Sequence, residues 1–126
     1  MQPVNLFALA SQQARWLSVR QTAVSGNIAN ANTPGYGAVD VEPFEAVLNK
    51  TRVAMSATHP GHIAVGATAD GLAVRQVNES TPTMPSGNSV VLEEELMKSG
   101  EVRRSMELNT AIVKAFHRML MTTTRS

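Results

Sequence analysis

Cysteine is absent, so neither a disulfide framework nor a thiolate zinc site can hold this chain together, and the redox compartment is left open. Aromatic residues are scarce: one tryptophan, one tyrosine and three phenylalanines are too few for a platform that stacks nucleic-acid bases. No run approaches the roughly 18 consecutive apolar residues of a membrane span. A net charge of +1 gives no general pull toward nucleic acid or anionic lipid. The opening Met1-Gln2-Pro3-Val4-Asn5 lacks the charged start and apolar core of a cleavable secretion signal. Cytoplasm is therefore the expected compartment, unless export uses an uncleaved signal.

What the sequence does have is periodicity. Phe7, Ala10, Ala14, Leu17, Gln21, Val24, Ile28 and Ala31 recur in steps of three and four, as do Val102, Met106, Asn109, Val113, Phe116 and Leu120. Each set is a helical seam that must meet another helix, because water does not stabilise an apolar stripe of that length. The fold class expected is all-α: two long terminal helices over 5–32 and 89–121, paired as an antiparallel coiled coil. Such helices span about 40 and 50 Å, against about 28 Å for a globule of this length. One elongated domain follows, with apolar surface left over for partners.

Between the helices, residues 33–87 hold six of the eight glycines and five of the six prolines, which excludes a long helix. An irregular middle is expected, either with a small hairpin of Ile63-Ala64-Val65 and Leu72-Ala73-Val74 around Asp70-Gly71 or flexible until a partner orders it. Asn5 is a plausible first cap, and Asn32-Thr33-Pro34-Gly35 a stop. Asn88 or Ser89 is the expected cap of the second long helix. Glu93, Glu94 and Glu95 at its front complement the helix dipole and read as a solvated face, with Glu94 spaced to pair with Lys98. Gly26 reads either as a glycine tolerated at a cost or as a point of close helix approach, and Gly100 as a weak point or kink.

A second apolar line, Leu108, Ile112, Ala115 and Met119, runs beside the C-terminal seam. One partner helix needs only a narrow seam, so the surplus points to further neighbours. Gln21 and Asn109 interrupt the seams; each either lies at a wet edge or, if buried, fixes register.

Chemistry is poorly supported. His59 and His62 flank Pro60-Gly61, but two imidazoles leave zinc short of ligands, and His117 sits on a polar flank. There is no nucleophile elbow, phosphate-binding glycine loop or His-Glu-x-x-His. Asn49-Lys50-Thr51 and Asn78-Glu79-Ser80 match a glycosylation pattern that arises often by chance. Glu101 and Glu107 interleave with Arg103 and Arg104, which argues against a nucleic-acid-binding helix. No catalytic, metal or cofactor-binding residue is assigned, and an enzyme is the least supported class.

The strongest local signature is Asn27-Ile28-Ala29-Asn30-Ala31-Asn32-Thr33-Pro34-Gly35-Tyr36. It resembles the segment that closes the N-terminal helix of bacterial flagellar rod and hook proteins. Thr58-His59-Pro60-Gly61-His62-Ile63 and the run from Leu92 to Leu120 look like the short proximal-rod members of that family. Together these cover residues 5–44 and 58–120. Gly37 and Met106 depart from the pattern, standing where a basic residue and a tyrosine are common.

The resemblance implies a structural rod subunit that leaves the cytoplasm uncleaved through the flagellar type III export apparatus. It would polymerise in the periplasm at the base of the rod. The partners implied are further copies of itself, the adaptor FliE, the rod protein FlgC, and the export gate and inner-membrane ring base. The alternatives are that the chain is the neighbouring rod protein, or a helical export chaperone that binds a partner helix in a groove. The residues expected to carry assembly are Phe7, Ala14, Leu17, Val24, Asn27, Ile28, Asn30, Thr33, Pro34, Gly35, Tyr36, Val102, Met106, Asn109, Ile112, Val113, Phe116 and Leu120.

Overall fold

A computed structural model describes residues 6–52, 74–76 and 83–125. Two long helices lie toward the ends, α1 (Leu6–Ala29) and α3 (Leu92–Thr124), with β1 (Val39–Val41), α2 (Phe44–Arg52) and β2 (Val74–Gln76) between them. Both long helices form where the step-of-three-and-four pattern places them, and Asn5 lies outside the described residues.

α1 stops at Ala29, three residues before the expected Asn32. The reason is local. The Asn30 N–H is shared between the Gly26 and Asn27 carbonyls at 3.1 and 3.2 Å, and its side-chain amide turns back to donate to Gly26 O at 2.8 Å. The last turn tightens, and Thr33 N–H then donates to Asn30 O to begin a new turn.

The described part of the middle carries regular elements that its composition does not suggest. Pro43 leads into α2, accepting from Ala46 and Val47 N–H through its carbonyl. Glu45 sits in the first turn, and Phe44, Val47 and Leu48 fall on one face. Phe44 rests against Trp16 of α1 with ring centroids 5.8 Å apart, and the Trp16 indole N–H donates to Glu42 O at 2.7 Å.

β1 and β2 pair antiparallel, Val39 with Gln76 and Val41 with Val74. Of the expected hairpin only Val74 can be placed: it lies in β2 and pairs with Val41. Residues 63–73 lie outside the described residues.

α3 begins at Leu92, and its cap position is Val91, with no side-chain cap bond. Neither Asn88 nor Ser89 caps the helix, because both side chains bond elsewhere. α3 continues without interruption through Gly100 to Thr124.

The two long helices touch in a consistent order. Asn27 meets Glu95 at 3.0 Å, Arg20 meets Glu101 at 3.8 Å, and the Asn109 amide donates to Ala10 O at 3.2 Å. Phe7 packs edge-on to Phe116 with centroids 5.2 Å apart. The start of α1 thus lies against the far part of α3. Ala10, Leu17, Ala23, Val24, Ala38, Val41, Val90 and Val102 form the small apolar core. It is concentrated where α1, β1 and the front of α3 converge.

Candidate functional site

Asn27 is fully buried at the meeting point of α1, β1 and α3. Its side-chain amide donates to Val39 O at 2.7 Å and Glu95 Oε2 at 3.0 Å. Its Oδ1 accepts from Val39 N–H at 3.0 Å and the Tyr36 hydroxyl at 3.4 Å. Two donors and two lone pairs are thereby all used. The amide serves both peptide groups of Val39 as a neighbouring strand would, so one helix side chain completes the sheet edge.

Glu95 is 2 % exposed, and its charge is answered by Lys98 Nζ at 3.1 Å. Lys98 also reaches Asp40 at 3.7 Å, and Asp40 accepts from Arg20 Nε at 3.3 Å and from Val41 N–H at 2.7 Å. The Arg20 guanidinium lies 5.5 Å from the centroid of the Trp16 ring. The expected solvated acidic face is corrected here. Glu93 and Glu94 are exposed, but Glu95 is buried, and it takes the Lys98 contact that spacing alone gave to Glu94. Among the described residues, no buried side-chain polar atom lacks a partner.

A second lock holds the turn after α1 to the segment before α3. Asn88, 1 % exposed, donates to Asn30 O at 2.9 Å and Thr33 O at 2.8 Å, and its Oδ1 accepts from Val90 N–H. Ser89 Oγ accepts from Ala38 N–H, Ser89 N–H donates to Tyr36 O, and Gly35 N–H donates to Ser86 O. Gly35 and Gly87 have φ of 74° and 80°, and a Cβ on Gly87 would stand 3.4 Å from Gly35 Cα. That is ordinary contact, so Gly35→Ala and Gly87→Ala are each expected to cost about 1–2 kcal/mol through left-handed strain alone. Thermal melts of the two variants check the size of the loss.

Beyond this junction the surface of α3 changes character. Of its 33 residues only Glu95 and Val102 are buried. Leu96, Met97, Leu108, Ile112, Met119, Leu120 and Met121 are 43–64 % exposed. No helix among the described residues is long and apolar enough to cross a membrane. Among the same residues no cluster of three or more His, Asp or Glu could hold a metal ion.

No family model matches the chain. It is 50 % identical, over 99 % of its own length and 96 % of the relative's, to a flagellar basal body rod protein FlgB of Agrobacterium fabrum (strain C58 / ATCC 33970). The chain belongs to the FlgB family of flagellar basal body rod proteins. A second FlgB, from Aeromonas hydrophila, is 32 % identical over 75 % of this chain and 72 % of its own. FlgB proteins are structural components of the rod, not enzymes.

Seen in this FlgB-family subunit, the sequence-picked residues divide into three groups. Leu17, Val24, Asn27 and Val102 are buried within the subunit. Ile28, Asn30, Tyr36, Met106, Asn109, Val113 and Phe116 are half-buried, along or beside the contact between the long helices. Phe7, Ala14, Thr33, Pro34, Gly35, Ile112 and Leu120 are exposed. Asn109 bonds across the helices, whereas Gln21 reaches only Ser25 on its own helix, at 3.5 Å. Gly26 is approached by the Tyr36 hydroxyl, 3.8 Å from where a Cβ would lie, rather than by another helix. His59 and His62 lie outside the described residues.

The junction residues Arg20, Asp40, Asn88, Glu95 and Lys98 escape sequence reasoning. Their partners are far away in the chain, and a charge on a helical pattern reads as solvent-facing. The one available signal is Asn88, a second asparagine beside a Pro-Ser-Gly turn.

Proposed function

We propose that this chain is a structural subunit of the proximal rod, polymerising through its terminal helices to link the inner-membrane base and export apparatus to the rest of the rod. The observation that carries the reading is the apolar length of α3, most of it uncovered within one subunit. A soluble monomer rarely leaves a contiguous apolar surface of this extent without a partner for it.

On this reading α1 and α3 form an antiparallel coiled coil within one elongated domain. The contact order from Asn27–Glu95 to Phe7–Phe116 supports that arrangement. The seam residues then contribute twice: Leu17, Val24 and Val102 to the subunit, and Phe7, Ala14, Ile112, Val113, Phe116 and Leu120 to contacts with neighbours. The turn residues Asn30, Thr33, Pro34, Gly35 and Tyr36 shape the end of the coil. The neighbours are further copies of this chain, the adaptor FliE, the rod protein FlgC and the export gate. Export is by the flagellar type III apparatus without cleavage, and assembly takes place on the periplasmic side of the inner membrane. The far half of α3 has few buried contacts to lose, which suits passage through a narrow channel. Burial among neighbours, at about 25 cal/mol per Å² of apolar surface, then orders it.

Val113→Asp or Ile28→Asp would bury a charge without a partner in the assembly. Basal bodies isolated from strains carrying either variant are expected to lack the subunit, and the cells to be non-motile. Normal motility in both strains would contradict the reading.

A further inference from the structure

One face of α3 forms a shallow open groove lined by Val113, Lys114, His117, Arg118 and Met121. Val113, His117 and Met121 are four apart on one line of the helix, with Lys114 and Arg118 on the line beside it. Residues 108–126 contain no aspartate or glutamate, so the groove is basic and has no acid of its own segment to answer it.

The front of the same helix is the converse. Glu93 and Glu94 are exposed there, and Leu92, Leu96 and Met97 are 42 %, 56 % and 64 % exposed. Glu95 is excluded, because Asn27 and Lys98 hold it inside the subunit. Leu92 and Leu96, four apart, form a ridge with Glu93 at its side. Each end of α3 therefore carries an apolar strip flanked by charge, and the signs are opposite.

We propose that the groove at Val113–Met121 receives the Leu92–Met97 front of α3 from a second copy of this chain. The inference rests on the reading of the chain as a self-assembling rod subunit and specifies one of its contacts. Groove against groove would oppose like charges, which disfavours a two-fold dimer. Front to groove is heterologous, and such contacts build open helical arrays when the rotation does not close. The two surfaces are separated by about 33 Å along the helix at 1.5 Å per residue. Each added copy is thus displaced along the assembly rather than stacked on itself.

Because the chain has no cysteine, engineered cysteines report this contact without background. Leu96→Cys and His117→Cys are placed together in one full-length chain, expressed in motile cells and oxidised with copper phenanthroline. A ladder of dimers and higher species in isolated basal bodies is expected, at least tenfold above either single-cysteine chain. Glu93→Lys or Lys114→Glu in that background is expected to reduce the ladder tenfold or more, and the two together to restore it.

Recovery of the subunit in basal bodies without the 96–117 crosslink would overturn this contact and leave the rod reading standing. Absence of the subunit from basal bodies would overturn both. Equal crosslinking by either single-cysteine chain would show a symmetric or unspecific encounter and overturn the proposal. So would groove charges that govern binding of the purified chain to phosphatidylglycerol vesicles while leaving the ladder unchanged.

Discussion

Replacing Asn27 with leucine is expected to destabilise the free subunit by about 3–5 kcal/mol, since several buried polar groups lose a partner at about 1–3 kcal/mol each while Lys98 still answers the Glu95 charge. Leucine has nearly the same size, so the effect isolates the hydrogen bonds. Its side chain abandons both peptide groups of Val39, the Tyr36 hydroxyl and one oxygen of Glu95. With total stability of small domains at about 5–15 kcal/mol, this brings the subunit to the edge of folding. Urea unfolding of the purified chain checks it. Glu95→Met in the same chain is expected to recover part of the loss by removing the carboxylate oxygen that Asn27 no longer serves. The double-mutant cycle then gives the Asn27–Glu95 coupling directly.

Ile112→Asp and Leu108→Asp are expected to have the opposite profile. These residues are 44 % and 62 % exposed, so the free subunit has no reason to unfold, and its melting should shift little. In an assembly that covers them, the new carboxylate would be desolvated with no partner, at a cost of several kcal/mol. Each such contact repeats at every subunit. Motility should be lost outright, while secretion of the variant chain into the medium continues. A strain that swims normally with Ile112→Asp would remove that line of α3 from the interface.

The difference between these two substitutions follows what could be read in the residues alone. The long helices were legible because a three-and-four apolar pattern admits no other element over such length. The excess width of the α3 stripe was also legible: Val102 is inside, while Leu108, Ile112 and Met119 remain outside. The flagellar resemblance rested on the Asn27–Tyr36 segment, and that segment includes the most heavily bonded side chain in the described structure.

What stayed hidden was the polar junction. A helical pattern treats Glu93, Glu94 and Glu95 alike, yet only the third lies on the side that meets Asn27, and that depends on the α1–α3 register. Asn88 read as a cap because asparagine before an apolar run commonly is one. Its bonds to the Asn30 and Thr33 carbonyls come from a segment some fifty-five residues earlier. α2 and the β1–β2 pair were obscured by glycine and proline counts taken over a whole segment. Pro43, placed just before Phe44, starts a helix rather than ending one.

The described part of the middle does more than join the two long helices. Trp16 and Phe44 pin α2 to α1, and Asn27 and Asn88 fix β1 and the turn against both long helices. A rigid junction gives the exposed part of α3 a defined direction. The proposed assembly needs that definition, since small angular errors accumulate along a polymer.

A density map of the assembled rod base, resolving side chains of this subunit, tests the central claim most directly. Leu108, Ile112 and Met119 should be covered by neighbouring helices, with α1 and α3 of each copy still joined at Asn27 and Glu95. A rod in which those three side chains face solvent, or in which the helices of one chain have parted, would contradict the account.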